Sequence, residues 1–153
     1  MMAWLVLTMM TAAGSVQDHQ HADLTRRGEA VMGFDQTATT HHFRLTPDGG
    51  QIEVTVNDPK NRASIEQIRM HLQHIAKSFG AGDFTAPMLI HAKEPPGVKT
   101  MKQGGDQITY RFEELERGGV VRMSTASPTL RAAVQTFLRF QIKDHKTGDP
   151  LRD

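Results

Sequence analysis

Apolar and polar residues alternate along two stretches of the chain and recur at helical spacing along two others. Phe43 and Leu45, then Ile52, Val54 and Val56, alternate on either side of Gly49-Gly50, which is the pattern of a half-buried hairpin. Ile108, Tyr110 and Phe112, then Val121 and Met123, repeat it about Gly118-Gly119. The two stretches align: the glycine pairs coincide, Phe43 falls on Phe112, and Ile52 falls on Val121.

A helix is predicted after each hairpin. Ser64 with Gln67 makes a capping-box start, and Ile65, Ile68, Leu72, Ile75 and Phe79 follow at helical spacing up to Gly80. The second helix opens on Ser127-Pro128, an N-cap with proline in the first turn, and Leu130, Val134, Phe137, Leu138 and Ile142 supply its apolar face. The fold class is therefore α+β, a duplicated ββα unit giving a four-stranded antiparallel sheet with two helices on one face. The halves run over about 38–80 and 106–147 of a single domain at 32–153. The join, 81–105, carries Pro87, Pro95-Pro96-Gly97 and Gly104-Gly105 and reads mostly as loop. A loop of that length in a small domain is more often functional than accidental.

The N-terminus reads differently. Ala3 to Met10 is apolar and Thr11-Ala12-Ala13-Gly14-Ser15 is small, so 1–16 looks like a signal peptide, although no Lys or Arg precedes the apolar run. That run is too short to span a bilayer, which needs about 20 residues. Residues 17–31 are polar and aperiodic, a flexible lead-in. A periplasmic or secreted protein is the expectation.

Composition narrows the chemistry. A net charge of +1 offers no field for nucleic acid, and 6% aromatic residues offer few stacking platforms. The absence of cysteine removes thiolate zinc sites, iron–sulfur clusters and cysteine nucleophiles.

Eight histidines remain. His41 shares a strand face with Phe43 and Leu45, the side the helices should cover, whereas His42 points the other way with Thr40 and Arg44. His71 and His74, three apart on the first helix, flank its apolar stripe and are close enough to share a ligand. Met88 and His91 lie three apart in the join. Where His41, His71 and His74 stand, the second half carries Tyr110, Phe137 and Phe140. Imidazoles replacing aromatics in one copy only suggest a metal site built from His41, His71, His74 and His91, with Met88 as adjunct. Imidazole suits copper, zinc, iron and nickel, and a thioether adds preference for Cu(I), so copper is favoured over zinc. Haem held by axial imidazoles is a weaker reading. The opposing reading is half-buried or surface histidines with no ligand, because no H-E-x-x-H or comparable motif is present. His42, His19 and His21 are weaker candidates, the last two in a tail that captures metal only loosely. His145 reads as a cation near a helix C-terminus.

No P-loop, dinucleotide fingerprint or Gly-x-Ser-x-Gly occurs, which leans against an enzyme. Ser127 and Arg131, at a helix N-terminus, form the one stretch with a remote transferase colour, loosely similar to the phosphate-binding element of carbamoyltransferases. An interaction module using the open sheet face, with His42, Arg44, Arg111 and Arg122 outward, is the alternative from another class.

The segments 31–36 (VMGFDQ), 39–43 (TTHHF), 68–76 (IRMHLQHIA), 82–84 (GDF) and 137–142 (FLRFQI) resemble a group of small exported bacterial proteins of no established activity. The resemblance spans roughly 28–150 and implies export and a single domain. It also implies a histidine where this chain has Gln135, so a site using that position would be altered here.

Overall fold

Each glycine pair begins the second strand of a tight hairpin. The computed structural model describes residues 13–152, and the side chains of His19 and 22–152. In chain order these form α1 (Ala13–Met32), a 3-10 turn, β1 (Thr39–Thr46), β2 (Gly49–Val56), α2 (Arg62–Gly80), α3 (Thr85–His91), α4 (Val98–Gly104), a second 3-10 turn, β3 (Thr109–Leu115), β4 (Gly118–Ser124) and α5 (Pro128–His145). The sheet is antiparallel in the order β1-β2-β4-β3, and the fold is α+β.

The internal repeat sits on the symmetry of the sheet. Ile52 pairs directly with Val121 across the β2–β4 seam, so the aligned positions of the two halves face each other at its centre. Each helix then crosses to the other hairpin. α2 packs chiefly on β3 and β4, and α5 packs on β1 and β2. The core is the layer between them, with Phe43, Val54, Ile68, Leu72, Val121, Val134 and Leu138 all at or below 4% exposure.

Gly50 belongs to this layer for a steric reason. A Cβ there would lie 2.2 Å from Leu138 Cδ1 and 2.6 Å from the Arg44 carbonyl oxygen. The bare backbone lets α5 settle on the first hairpin.

Three local expectations are corrected. The lead-in is helical from Ala13 rather than irregular, and Leu24, Gly28, Val31 and Met32 form a sparse stripe buried or half-buried at spacings of four, three and one. Arg27 Nε donates to the Ile90 carbonyl oxygen at 2.8 Å and Gln36 Nε2 to that of Thr25 at 2.7 Å, which ties α1 down where hydrophobicity alone would not. The join is not mostly loop either, because it winds into α3 and α4, two short helices with Pro87, Ile90, Val98 and Met101 buried. The first core helix begins at Arg62, not at Ser64. Its cap is Asn61, whose side chain accepts from the Ser64 amide at 3.1 Å. Of the signal-like segment, residues 1–12 lie outside the described residues, and 13–16 are the first turn of α1.

α5 starts as the sequence predicts, with Ser127 Oγ accepting from the Leu130 amide and Pro128 in the first turn. It ends at His145, with Lys146 in the left-handed conformation. Past that point Asp149 returns to the edge strand. Its carboxylate accepts from the Phe43 amide at 3.0 Å, meets His42 Nδ1 at 2.8 Å and accepts from Thr147 Oγ1 at 2.7 Å. Burial works to raise the Asp149 pKa, but the hydrogen bonds from Thr147, Phe43 and His42 outweigh it and hold it below the usual carboxylate range.

Candidate functional site: a histidine-lined cavity

The crossing of the helices leaves a gap between the first hairpin, α2, α3 and α5. It is a cavity of about 60 Å³. β1 contributes His41 and Phe43, β2 Ile52 and Val54, α2 His71, Leu72, Ile75 and Phe79, α3 Ile90 and His91, and α5 Phe137, Gln141 and His145. Four imidazoles and the Gln141 amide thus stand on an otherwise apolar wall.

Ring contacts order them. His71 meets Phe34 edge-on at 5.7 Å, and Phe34 stacks on His41 at 6.2 Å. His41 stacks on His145 at 6.2 Å, and His145 meets His91 edge-on at 5.1 Å. Aromatic pairs at such separations contribute roughly 0.5–1.5 kcal/mol beyond area burial, so this row is part of the fold as well as part of the cavity.

The four rings differ in availability. Both nitrogens of His91 are engaged, Nδ1 with Asp144 Oδ2 at 2.5 Å and Nε2 with Gln141 Oε1 at 2.8 Å. His91 is buried, and using it as a ligand would break that arrangement. His41 is the opposite case, since its Nε2 is buried and, among the described residues, has no hydrogen-bond partner. A buried polar atom without a partner costs about 1–3 kcal/mol, and native folds rarely leave one in place. Burial, with the neighbouring His71 and His42 rings, pushes the His41 pKa down to about 4. Burial, with His74 nearby, lowers His71 to about 4 as well. Both rings are therefore neutral at pH 7, the form that binds metal.

The structure brings His41, His71 and His91 to one cavity and leaves the other sequence candidates out. His74 is exposed on α2, its Nε2 3.3 Å from Ser78 Oγ. Met88 is outside the cavity lining, its sulfur 4.0 Å from Lys102 Nζ. His42 faces away, as alternation requires, and is held by Asp149. His19 is exposed on α1, and the His21 side chain lies outside the described residues. His145, read from sequence as a terminal cation, instead turns inward and joins the wall. The signal for it was its position three and four residues beyond Ile142 and Gln141, on the buried stripe of α5.

Convergence of three imidazoles on one ion is not what the structure holds. Among the described residues no group of three or more His, Asp or Glu is arranged to hold a metal. The rings form a row of stacked and edge-on contacts rather than converging, because the row is built by packing between Phe34, Phe43 and Phe140. Haem does not fit, since ligand pockets that enclose such groups run to about 300–1,000 Å³.

Contacts also bear on the two remaining readings. On the open sheet face the outward arginines are paired. Arg44 pairs with Glu53 at 2.5 Å, Arg122 with Glu113 at 2.9 Å and with Gln51, and Arg111 with Glu113 at 3.5 Å. Arg131 donates to the Pro47 carbonyl oxygen at 3.1 Å and Ser127 caps α5, so both groups of the supposed anion site serve the fold. No helix among the described residues is long and apolar enough to cross a membrane.

Comparison with protein-family models, curated proteins and solved structures finds no match.

Proposed function

We propose that this chain is a non-catalytic metal-binding protein of the cell exterior that holds copper in the histidine-lined cavity, for storage, transfer or sensing. The observation that carries the reading is His41 Nε2, a buried nitrogen without a partner among the described residues, on the wall of a cavity shared with the neutral His71. A metal supplies the missing partner and removes the cost of leaving the nitrogen bare. His41 and His71 are the primary ligands. Two imidazoles suffice for Cu(I), which accepts low coordination numbers, and they are too few for a closed tetrahedral zinc site. An apolar surround favours the singly charged ion over a divalent one, because the desolvation cost rises with charge.

The test is a competition titration of the full chain against a chromogenic Cu(I) chelator, beside the His41→Phe variant. Tight one-to-one uptake that weakens at least about a hundredfold in the variant supports the reading, in line with the loss of a direct ligand. Equal uptake by both chains overturns it.

A second reading keeps the cavity and changes the ligand. The apolar wall formed by Ile52, Val54, Leu72, Ile75, Phe79 and Phe137 suits a small apolar molecule with one hydrogen-bonding group directed at His41. Metal-free protein that shows no affinity for copper favours it.

A further inference from the structure

On the outer side of α2 a depression of about 380 Å³ opens to solvent, lined by Met32, Gly33, Gln67, Met70, His71 and His74. Two thioethers and two imidazoles share this lining, and none of its described residues is a carboxylate. Met70 is 62% exposed, the most exposed large apolar side chain among the described residues, and packing does not account for it. It lies four residues before His74, so the two are neighbours on the helix surface. Met32 closes the depression from the end of α1.

Two of these residues also belong to the cavity. Met32 and His71 line both the outer depression and the inner gap that His41 faces. They are the partition between the two.

We infer that this depression is a loading site for Cu(I), at which Met32, Met70, His71 and His74 receive the ion before His71 passes it to His41. The inference rests on the reading of the cavity as a copper site. Thioether sulfur selects Cu(I) over zinc and over hard divalent ions, and the missing carboxylates remove the ligands those ions prefer. Handover is a ligand exchange in which the ion keeps its charge: a bond to sulfur or to His74 breaks as the bond to His41 forms, with no electron transferred. A ligand common to both sites lets the ion move without being released to water.

Two measurements on the full chain test this. In stopped-flow transfer from the Cu(I) complex of a chromogenic chelator, the doubly exposed variant Met70→Leu/His74→Gln is expected to take up the ion at least about tenfold more slowly, with the equilibrium affinity within about threefold of the parent. In X-ray absorption, the His41→Phe chain given one equivalent of Cu(I) is expected to show sulfur in the first coordination shell, because only the outer ligands remain. An unchanged rate, or a shell of nitrogen alone, overturns the loading site while leaving the cavity reading in place, provided the parent still binds and His41→Phe weakens it. A parent chain that takes up no Cu(I) overturns both.

Discussion

The His41 and His145 rings lie 6.2 Å apart with planes within 10° of parallel, joining β1 to the last turn of α5. This contact exists only because α5, which follows the second hairpin, crosses to cover the first. The site is thus assembled from both halves of the repeat, although the histidine-for-aromatic exchanges considered from sequence all fall in the first.

Replacing His41 with phenylalanine tests whether the histidine is there for the fold. The aligned position carries Tyr110, so a six-membered ring is at home in this scaffold. The substitution removes a buried nitrogen that has no partner among the described residues. His41→Phe is expected to fold and to gain about 1 kcal/mol in denaturant unfolding while losing copper affinity. A loss of 2 kcal/mol or more on that scale would show the imidazole to be structural.

Stability should fall on mild acidification. His41 and His71 are held to about 4 in the fold, against 6.5 for an ordinary histidine. Because the unfolded chain binds these protons first, the contribution is complete above about pH 6.5 and is lost as pH falls towards 4. The loss is at most about 3 kcal/mol for His41, and less for the half-buried His71. Unfolding midpoints measured between pH 7 and pH 4 check this. A His41→Phe/His71→Phe chain should show a much flatter profile, and an identical slope would remove these two rings as the cause.

Asp149 should matter beyond its place near the C-terminus. Asp149→Ala leaves the Phe43 amide and His42 without their acceptor and is expected to cost about 1–3 kcal/mol, with faster hydrogen exchange at the Phe43 amide. Full stability together with unchanged exchange would show the contact to be dispensable.

Gly50→Ala should be poorly tolerated, since the new methyl would sit 2.6 Å from a backbone oxygen and 2.2 Å from Leu138. The expected cost is about 2 kcal/mol or more, read by denaturant unfolding, and an unchanged midpoint would contradict the close packing of α5 on the first hairpin.

Where periodicity was strong, the sequence was readable. Both hairpins, the four-stranded sheet and the two long core helices follow from alternation at Phe43 and Leu45 and from helical spacing at Ile65, Ile68 and Leu72. What stayed hidden was anchored by single polar contacts. α1 shows no continuous apolar stripe and is positioned by Arg27 on Ile90 and Gln36 on Thr25, contacts 63 and 11 residues apart. α3 and α4 are too short for a periodic signal. The site was half legible for the same reason. Strand alternation placed His41 inward and His42 outward, and helix geometry put His71 beside the stripe. Spacing alone could not separate His71 from His74, nor show that His91 is taken by Asp144 and Gln141. Turning His145 inward required the crossing of α5, a tertiary choice that no local pattern records.

The most direct test of the proposed copper site is the nitrogen NMR spectrum of the imidazole rings as the full chain is titrated with Cu(I), which is diamagnetic. His41 Nε2 and a His71 nitrogen are expected to shift together, saturating at one equivalent, while both His91 nitrogens keep their positions beside Asp144 and Gln141. Saturation at one equivalent with His41 Nε2 unmoved would contradict it.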